Sequence, residues 1–563
     1  MTAAARSYTH GTSVTPLLHL TIGEALDRAA ERWPDQEAVV VREQHIRLTY
    51  AELRRQAAGL AAGFLALGLK PGERIGIWSP NRIEWILTQY AAAKAGLVLV
   101  NINPAYRVTE LEYALNKVEC RAIVTADRFR SSDYIGMLRT LAPELDQCAP
   151  GALSAARLPH LITLIHMENS DEPGFYNFAA IPAMAGAAEH ARLADLASVL
   201  QPDDAANIQF TSGTTGAPKG ATLTHNNVLN NALLQAEVMG VGVGDRMCDP
   251  LPLYHCGGTV CGSLLGVVAG VTVIWLGEAF DPQSALETLQ AERCTVFLGV
   301  PTIFVAVLNH PAFATFDLTR LRTGMIGGAP CPEPLMRRII GEMHLPDITI
   351  IYGMTETSPV SVQTRPDDTL ARRVSTVGTA HPHTEIKIVD PAGRIVPHGI
   401  QGEVCTRGYS VMLGYWNDEA ATRDAIDPAR WMHTGDLGVM DEHGYVSITG
   451  RSKDMVIRGG ENIYPAEVEA FLYRHPAIAD VQGFGVPDVL YGEELCVWIK
   501  LKEGTSATED EIRAFCRGQI THFKIPRHVR FVTDYPMTVT GKAQKFMMRA
   551  AMVQELAVVN GAP

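Results

Sequence analysis

Thr211-Ser-Gly-Thr-Thr-Gly-Ala-Pro-Lys219-Gly220 packs three glycines, three threonines, a serine and a lysine into ten residues. Ile208-Gln-Phe210 before it reads as the end of a short strand, and Thr224-His-Asn-Asn after it reads as the start of a helix. Glycines let a loop turn tightly and bring backbone N–H groups toward an anion. The hydroxyls of Thr211, Ser212, Thr214 and Thr215 add donors, and Lys219 adds a positive charge. The stretch therefore reads as a phosphate cradle. It is not a Walker A loop, because Gly213 and Gly216 stand too close together and Gly220 follows the lysine. Alone it would equally suit a polar surface loop; the surrounding chain decides.

Upstream, Thr21 to Trp33 reads as a helix. Thr49-Tyr-Ala-Glu52 is a capping box that opens a helix over about 50–67, stopped by Gly68. Arg74–Trp78, Leu97–Val100 and Ala122–Thr125 read as strands, with helices over Asn81–Ala95 and Thr109–Lys117 between them. From Ser131 to Val199 the pattern says little. Downstream the alternation resumes, with strands over Thr295–Gly299, Leu321–Ile326 and Ile348–Ile351 and a helix over Pro332–Met343. Such alternation predicts an α/β fold with largely parallel sheet. Leu264 to Leu276, the most apolar run, is too short to span a bilayer and is expected to be a buried strand pair. From Thr384 the strands shorten, with turns at Asp390-Pro-Ala-Gly393, Pro397-His-Gly399 and Asp441-Glu-His-Gly444. A small β-rich subdomain over about 384–450 follows from this. A compact α+β tail comes after Gly450. The expected division is a large domain over 1–451 and a smaller one over 452–563.

The 563 residues carry a net charge of −13, with 47% hydrophobic and 19% charged residues. That is an ordinary globular composition in several domains. It excludes nucleic acid as a general partner, since there is no basic excess. None of the ten cysteines forms a Cys-x-x-Cys pair, which points to free thiols in a reducing, cytoplasmic compartment and away from a structural zinc site. No secretory signal and no transmembrane segment are expected. Peripheral membrane contact and a homodimer are compatible with such a chain.

Further clusters combine polar groups with glycine at predicted strand ends, where open α/β sheets bind ligands. Gly327-Gly328-Ala329-Pro330 would let a flat base lie against backbone. Tyr352-Gly353-Met354-Thr355-Glu356 offers an aromatic face, a hydroxyl and a carboxylate. Thr434-Gly-Asp436 offers a carboxylate for ribose hydroxyls, Gly450-Arg451 a cation, and Thr540-Gly-Lys542 a lysine in a turn. Singly, each of these suits a structural residue. Together they account for base, ribose, phosphates and metal of a nucleoside triphosphate.

The order and spacing of these motifs, over roughly Thr21 to Ala551, resemble the adenylate-forming superfamily of acyl-CoA synthetases, nonribosomal adenylation domains and firefly luciferases. The resemblance implies a fold with a large N-terminal domain and a mobile C-terminal domain, and it implies roles. Thr211, Ser212, Gly213, Thr214, Thr215, Gly216 and Lys219 would form the phosphate loop. Gly328, Ala329, Pro330 and Tyr352, followed by Gly353 and Met354, would hold adenine. Thr355 would meet the α-phosphate, and Glu356 with Thr211 would hold Mg²⁺. Asp436 and Arg451 would bind ribose, Lys542 would catalyse adenylation, and Lys453 would be the hinge. His255, in Pro252-Leu-Tyr-His-Cys-Gly-Gly258, would border the acyl pocket with Cys256, Gly257, Val300, Gly327 and Gly353. Arg458-Gly-Gly-Glu-Asn-Ile-Tyr464 resembles the acyl-CoA ligase version, in which Gly459, Gly460 and Glu461 let the pantetheine arm pass.

The expected reaction is ATP-dependent activation of a carboxylic acid to acyl-AMP, then transfer to coenzyme A. The chain ends 21 residues beyond Lys542, which argues for free coenzyme A over a carrier protein. The pocket stretches are small or apolar, which favours a medium- to long-chain fatty acid. An aromatic acid, a carrier-protein-loading adenylation protein and a degenerate nucleotide-binding member are the alternatives. Against the last stand Lys219, Glu356, Asp436, Arg451 and Lys542, all present.

Overall fold

The computed structural model describes residues 6–211, 218–451, 454–458, 461–488, 490–517, 519–537 and 543–559, with side chains throughout except at 461, 462 and 557–559. Two large sheets dominate. The first runs in the order Phe175–Asn177, Thr163–His166, Ala122–Thr125, Arg74–Trp78, Val98–Asn101, Ala205–Thr211, Lys219–Thr224, Gly414–Tyr415. Its first six strands are parallel and its last two join antiparallel. In the second, Asp347–Gly353, Thr323–Gly327, Val296–Gly299, Arg246–Asp249, Thr272–Trp275 and Glu37–Val41 are parallel neighbours in that order. Short antiparallel strands close both of its edges. Parallel strands are covered on both faces, so they read as continuous apolar runs. Val98–Asn101, Ala122–Thr125 and Thr272–Trp275 are accordingly buried at every position.

Local chemistry sets the helix ends as expected. Thr49 Oγ1 accepts the Glu52 amide at 3.2 Å while the Thr49 amide donates to Glu52 Oε2 at 2.8 Å. This capping box opens Tyr50–Ala66, and Gly68, at φ 83°, lies just past its end. Such a cap contributes about 1 kcal/mol. Thr21 and Glu24 do the same for Ile22–Arg32.

The third sheet is antiparallel: Tyr8–His10, Thr384–Val389, Gly402–Gly408, Met432–Met440, Val446–Arg451. Its turns form where Gly and Asp mark them. Asp390 Oδ1 accepts the Ala392 amide at 2.9 Å, and the Gly393 amide donates to Asp390 O at 2.9 Å. The outermost strand, Tyr8–His10, comes from the far N-terminal end of the chain. A fourth sheet, Glu461–Ile463, Val456–Arg458, Gly492–Leu501, Ile478–Asp488, with His528–Phe531 parallel to Gly492–Leu501, forms the tail. Helices Pro465–Leu472, Glu509–Cys516 and Lys545–Val559 accompany it. The buried apolar side chains from Val456 to Met552 form two clusters with no member from the first 451 residues.

Two expectations need correction. The strand end at Ile208–Phe210 and the helix start at Thr224 stand where the sequence places them, but a strand lies between the glycine-rich stretch and the helix. Lys219–Thr224 is itself a strand, antiparallel to Ala205–Thr211 with Lys219 opposite Thr211, so the stretch begins and ends on paired strands. The helix His225–Met239 starts after it, with Thr224 as its N-cap. A Cβ on Gly220 would stand 3.0 Å from Ile208 Cγ2, so glycine there admits the neighbouring strand. The apolar run 264–276 is also not a strand pair. It holds the helix Leu265–Ala269, ended by Gly270 at φ 70°, and one strand, Thr272–Trp275. Apolar runs of this length suit a buried helix as well as a buried strand. Between 131 and 199, where the pattern was silent, lie Tyr134–Leu141, Thr163–His166, Phe175–Asn177 and Ala187–Ala197. All ten cysteines are free, nine of them buried. No described helix is long and apolar enough to cross a membrane.

Candidate active site

The hairpin tip of the first sheet, the carboxyl ends of two second-sheet strands and the edge of the third sheet are tied together by side-chain hydrogen bonds. Asp347–Gly353 runs into the short turn Thr355–Thr357, which carries Glu356. Gly353 is required there, because a Cβ would meet Pro359 O at 1.8 Å. Glu356 is buried, and its Oε1 accepts two hydroxyls: Thr211 Oγ1 at 3.1 Å and Tyr415 Oη at 2.9 Å. Thr211 ends one hairpin strand and Lys219 begins the other, so the predicted phosphate loop is anchored directly beside this carboxylate. Lys219 Nζ stands over the Tyr415 ring at 5.0 Å.

A buried carboxylate with hydroxyl partners is a hard oxygen site. The pair Glu356 and Thr211 thus fits Mg²⁺, which takes oxygen ligands and keeps several waters. Burial, then the charge of Glu356, pushes the Tyr415 phenol far above its usual range, so it stays a hydrogen-bond donor.

Tyr352 turns its hydroxyl to Asp436 Oδ2 at 2.7 Å, and Arg451 Nε donates to Asp436 Oδ1 at 2.9 Å. Asp436 and Arg451 face each other across Met432–Met440 and Val446–Arg451. Each Asp436 oxygen thus takes one donor and keeps a lone pair, which leaves the carboxylate able to accept two more hydroxyls. Burial and the Asp436 charge raise the Tyr352 phenol well above its usual range. The Asp436 turn is itself held. Thr434 Oγ1 donates to Val404 O at 2.7 Å, and Glu403 Oε1 accepts the Gly435 amide at 3.1 Å. Gly328, Ala329 and Pro330 lie exposed just beyond the strand Thr323–Gly327, with Gly328 at φ 79°.

The acyl-side residues adjoin the same carboxylate. His255 caps the turn Cys256–Gly258, and its ring lies 4.3 Å from that of Tyr254. Cys256 Sγ donates to Gln209 Oε1 at 3.2 Å, on the strand that ends in Thr211. Burial, then the charges of Cys261 and Glu356, raise the Cys256 thiol well above its usual value. A Cβ on Gly257 would stand 3.1 Å from Leu251, and one on Gly327 would be 2.4 Å from Ile351. Val300 caps the helix Pro301–Leu308.

The fold therefore brings Thr211, Lys219 and Glu356 together through Tyr415, and Tyr352, Asp436 and Arg451 into a second bonded group, the two joined by the backbone from Tyr352 to Glu356, with Cys256 against the first. Ser212, Gly213, Thr214, Thr215, Gly216, Lys453, Gly459, Gly460 and Lys542 lie outside the described residues, as does the Glu461 side chain; the Glu461 backbone pairs with Arg458. Two residues of the network escaped sequence reasoning. Tyr415 sits in Gly414-Tyr-Trp416, whose aromatic pair after a glycine was the available signal, and reaches Glu356 only because Gly414–Tyr415 pairs with Lys219–Thr224. Glu403 reaches the Asp436 turn through a bulge between its strand and Met432–Met440.

A profile described as AMP-binding enzyme matches residues 26–416, and one described as AMP-binding enzyme C-terminal domain matches 467–542. YngI of Bacillus subtilis, to which an acyl-CoA synthetase role is ascribed, is 48% identical over 539 residues, 96% of this chain and 98% of its own. The medium-chain acyl-CoA ligase ACSF2 of Danio rerio, a mitochondrial protein, is 46% identical over 553 residues, 98% of this chain and 91% of its own. Among solved structures, the anthranilate CoA ligase AuaEII in complex with anthranoyl-AMP superposes with a TM-score of 0.83 at 25% identity, covering 96% of this chain and 99% of the other.

Proposed function

The chain belongs to the AMP-binding enzyme family and is an AMP-forming acid–thiol ligase, and from that premise we propose that its acid is an apolar, medium- to long-chain fatty monocarboxylate. The observation that carries the reading is the junction at Glu356, where the phosphate hairpin, a buried carboxylate and the Cys256 turn meet. The apolar neighbour of that turn, Leu251, and the likeness to a medium-chain ligase support an aliphatic acid.

The substrate carboxylate attacks the α-phosphorus of ATP, an acyl-phosphate bond forms, and pyrophosphate leaves with the electrons of the broken P–O bond. Asp436, preset by Tyr352 and Arg451, accepts the ribose hydroxyls and fixes the α-phosphorus relative to the acid. Tyr352 offers its ring face to adenine beside the exposed backbone of Gly328 to Pro330. Lys219 and the hydroxyls of the hairpin tip meet the β- and γ-phosphates. Glu356 and Thr211 would hold Mg²⁺, which supplies positive charge against the phosphate oxygens. Lys542 would bridge the two reacting anions, where developing charge is best stabilised. The coenzyme A thiolate then attacks the acyl carbonyl carbon and AMP leaves. The separate hydrophobic clusters of the tail support a division at 451/452, with 452–563 turning as a body about Lys453. Ten unpaired cysteines support a reducing, cytoplasmic setting.

The test is mass spectrometry of a reaction with ATP, Mg²⁺, coenzyme A and a panel of acids. Octanoate should give octanoyl-CoA and AMP. ADP and phosphate as products would overturn the mechanism, and benzoate or cinnamate turning over much faster than every fatty acid would overturn the substrate.

A further inference from the structure

On the face of the third sheet where buried Cys405 packs with Val389 and Trp431, three unlike ligand atoms converge. Cys405 lies directly across from His433, and Glu403 precedes Cys405 by two positions on the same face. Cys405 Sγ is 3.6 Å from His433 Nδ1, and Glu403 Oε2 is 2.9 Å from that nitrogen. All three atoms lie within 4.8 Å of one another. We propose that Glu403, Cys405 and His433 form a binding site for a borderline-soft divalent cation of the Zn²⁺ class, and that its occupation weakens nucleotide binding at Asp436.

The distances fit. Zinc at about 2.3 Å from sulfur and about 2.1 Å from nitrogen, in tetrahedral geometry, holds those atoms about 3.6 Å apart. That is the separation already present. Nitrogen and oxygen ligands would stand about 3.3 Å apart, so the Glu403 carboxylate needs to retreat by a few tenths of an ångström. Solvent completes the fourth position, since His433 and Glu403 are each about 30% exposed.

The charges also fit. The ionised groups around Cys405 are Glu403, Asp427 and Lys387. With the thiol ionised, three negative charges face one positive charge, a deficit of two that a divalent cation cancels. Binding releases the thiol proton, and with Nδ1 as the ligand nitrogen the ring carries its one hydrogen on Nε2. Asp427 Oδ2, 3.9 Å from Nε2, is a negative charge on the side of the ring that carries this hydrogen. A sulfur–nitrogen–oxygen set selects Zn²⁺, Co²⁺ or Cd²⁺ over Mg²⁺ and Ca²⁺. The site is thereby chemically distinct from Glu356 and Thr211. The other mixed cluster among the described residues, Asp127, His166 and Glu168, already pairs Glu168 with Arg82.

The antagonism follows from Glu403. Its Oε1 holds the Gly435 amide at 3.1 Å, next to Asp436. A carboxylate that shifts by those few tenths of an ångström to ligate a cation through its other oxygen loosens that turn. This coupling rests on the ribose role proposed for Asp436, which Asp436→Ala tests on its own through AMP affinity without metal.

The experiment is a Co²⁺ titration of the full chain followed by absorption. One equivalent should produce a thiolate-to-cobalt charge-transfer band and intense visible bands of a four-coordinate ion, both bleached by Zn²⁺. Cys405→Ser should abolish them while keeping metal-free adenylation. AMP affinity should fall about fivefold or more with Zn²⁺ in the wild type and stay unchanged in Cys405→Ser. No charge-transfer band, or the same band in Cys405→Ser, overturns the site. Unaltered AMP affinity in zinc-loaded wild type overturns the antagonism. X-ray absorption of the zinc adduct gives a readout independent of the variant: one sulfur with nitrogen and oxygen ligands is expected, and none or two sulfurs refutes the assignment.

Discussion

The hydroxyl of Tyr415 has one acceptor, Glu356 Oε1, and shares it with Thr211. A hydrogen bond to a charged group contributes about 1.5–3 kcal/mol. Tyr415→Phe removes the donor and keeps the ring under Lys219. The expected outcome is a loss of roughly 10- to 150-fold in adenylation kcat/KM, with a raised Mg²⁺ requirement, measured by pyrophosphate exchange at varied Mg²⁺. An unchanged Mg²⁺ dependence would reduce Tyr415 to a packing residue. At this scale the sequence was legible where a role needs only a residue type in a motif. Tyr352, Glu356, Asp436 and Arg451 stand in short runs with glycine, and all four lie in the network. Tyr415 and Glu403 act through pairing partners far along the chain, and no local pattern announces a register.

The helix Ile22–Arg32 starts against the first residue of His225–Met239: the Ile22 amide donates to His225 Nδ1 at 3.2 Å. That bond needs an unprotonated nitrogen. Burial lowers this imidazole from its ordinary 6.5 to about 4. The folded chain keeps it neutral at pH values where the unfolded chain takes up a proton. Its contribution is therefore complete above about 6.5 and is lost as pH falls toward about 4. The loss amounts to roughly 3 kcal/mol over that window. Urea denaturation across the window should show a steeper decline in wild type than in His225→Asn, whose amide oxygen can accept the same N–H without titrating. Parallel pH profiles would contradict this. Helices with caps were the most legible elements, because Thr49 with Glu52 satisfies its own amides within four residues. The strand Lys219–Thr224 was not legible. Its glycine and threonines suit a loop, and what makes it a strand is the edge it shares with Ala205–Thr211.

For the molecule as a whole, adenylation and thioester formation want different surroundings at one site, which calls for a tail that changes its pose. Its independent hydrophobic clusters mean that the proposed turning would open no core. Across the junction the Tyr464 ring lies near the backbone of Gly450, where a Cβ would stand 3.6 Å from Cδ1. Lys453→Pro fixes φ near roughly −65° and removes an N–H. The variant should keep substantial adenylation and lose most thioester formation, measured by pyrophosphate exchange and by acyl-AMP plus coenzyme A. Wild-type rates in both would place the pivot elsewhere. The α/β class was readable from alternation alone. The split into two large sheets was not, since the second sheet takes strands from both sides of the phosphate hairpin.

The outermost strand of the third sheet, Tyr8–His10, is bound to a partner 377 residues further on. A ribosome adding about 5–20 residues per second reaches that partner roughly 20 to 75 s after making the strand. For that interval the nascent chain carries a finished strand whose backbone can pair only with water. When Thr384–Val389 emerges, its own edge is open until the early strand returns to cover it, and an open edge is a template for a neighbouring chain. The vulnerable moment in making this protein thus falls as Thr384–Val389 emerges, and it is set by the 377 residues that separate the early strand from its partner.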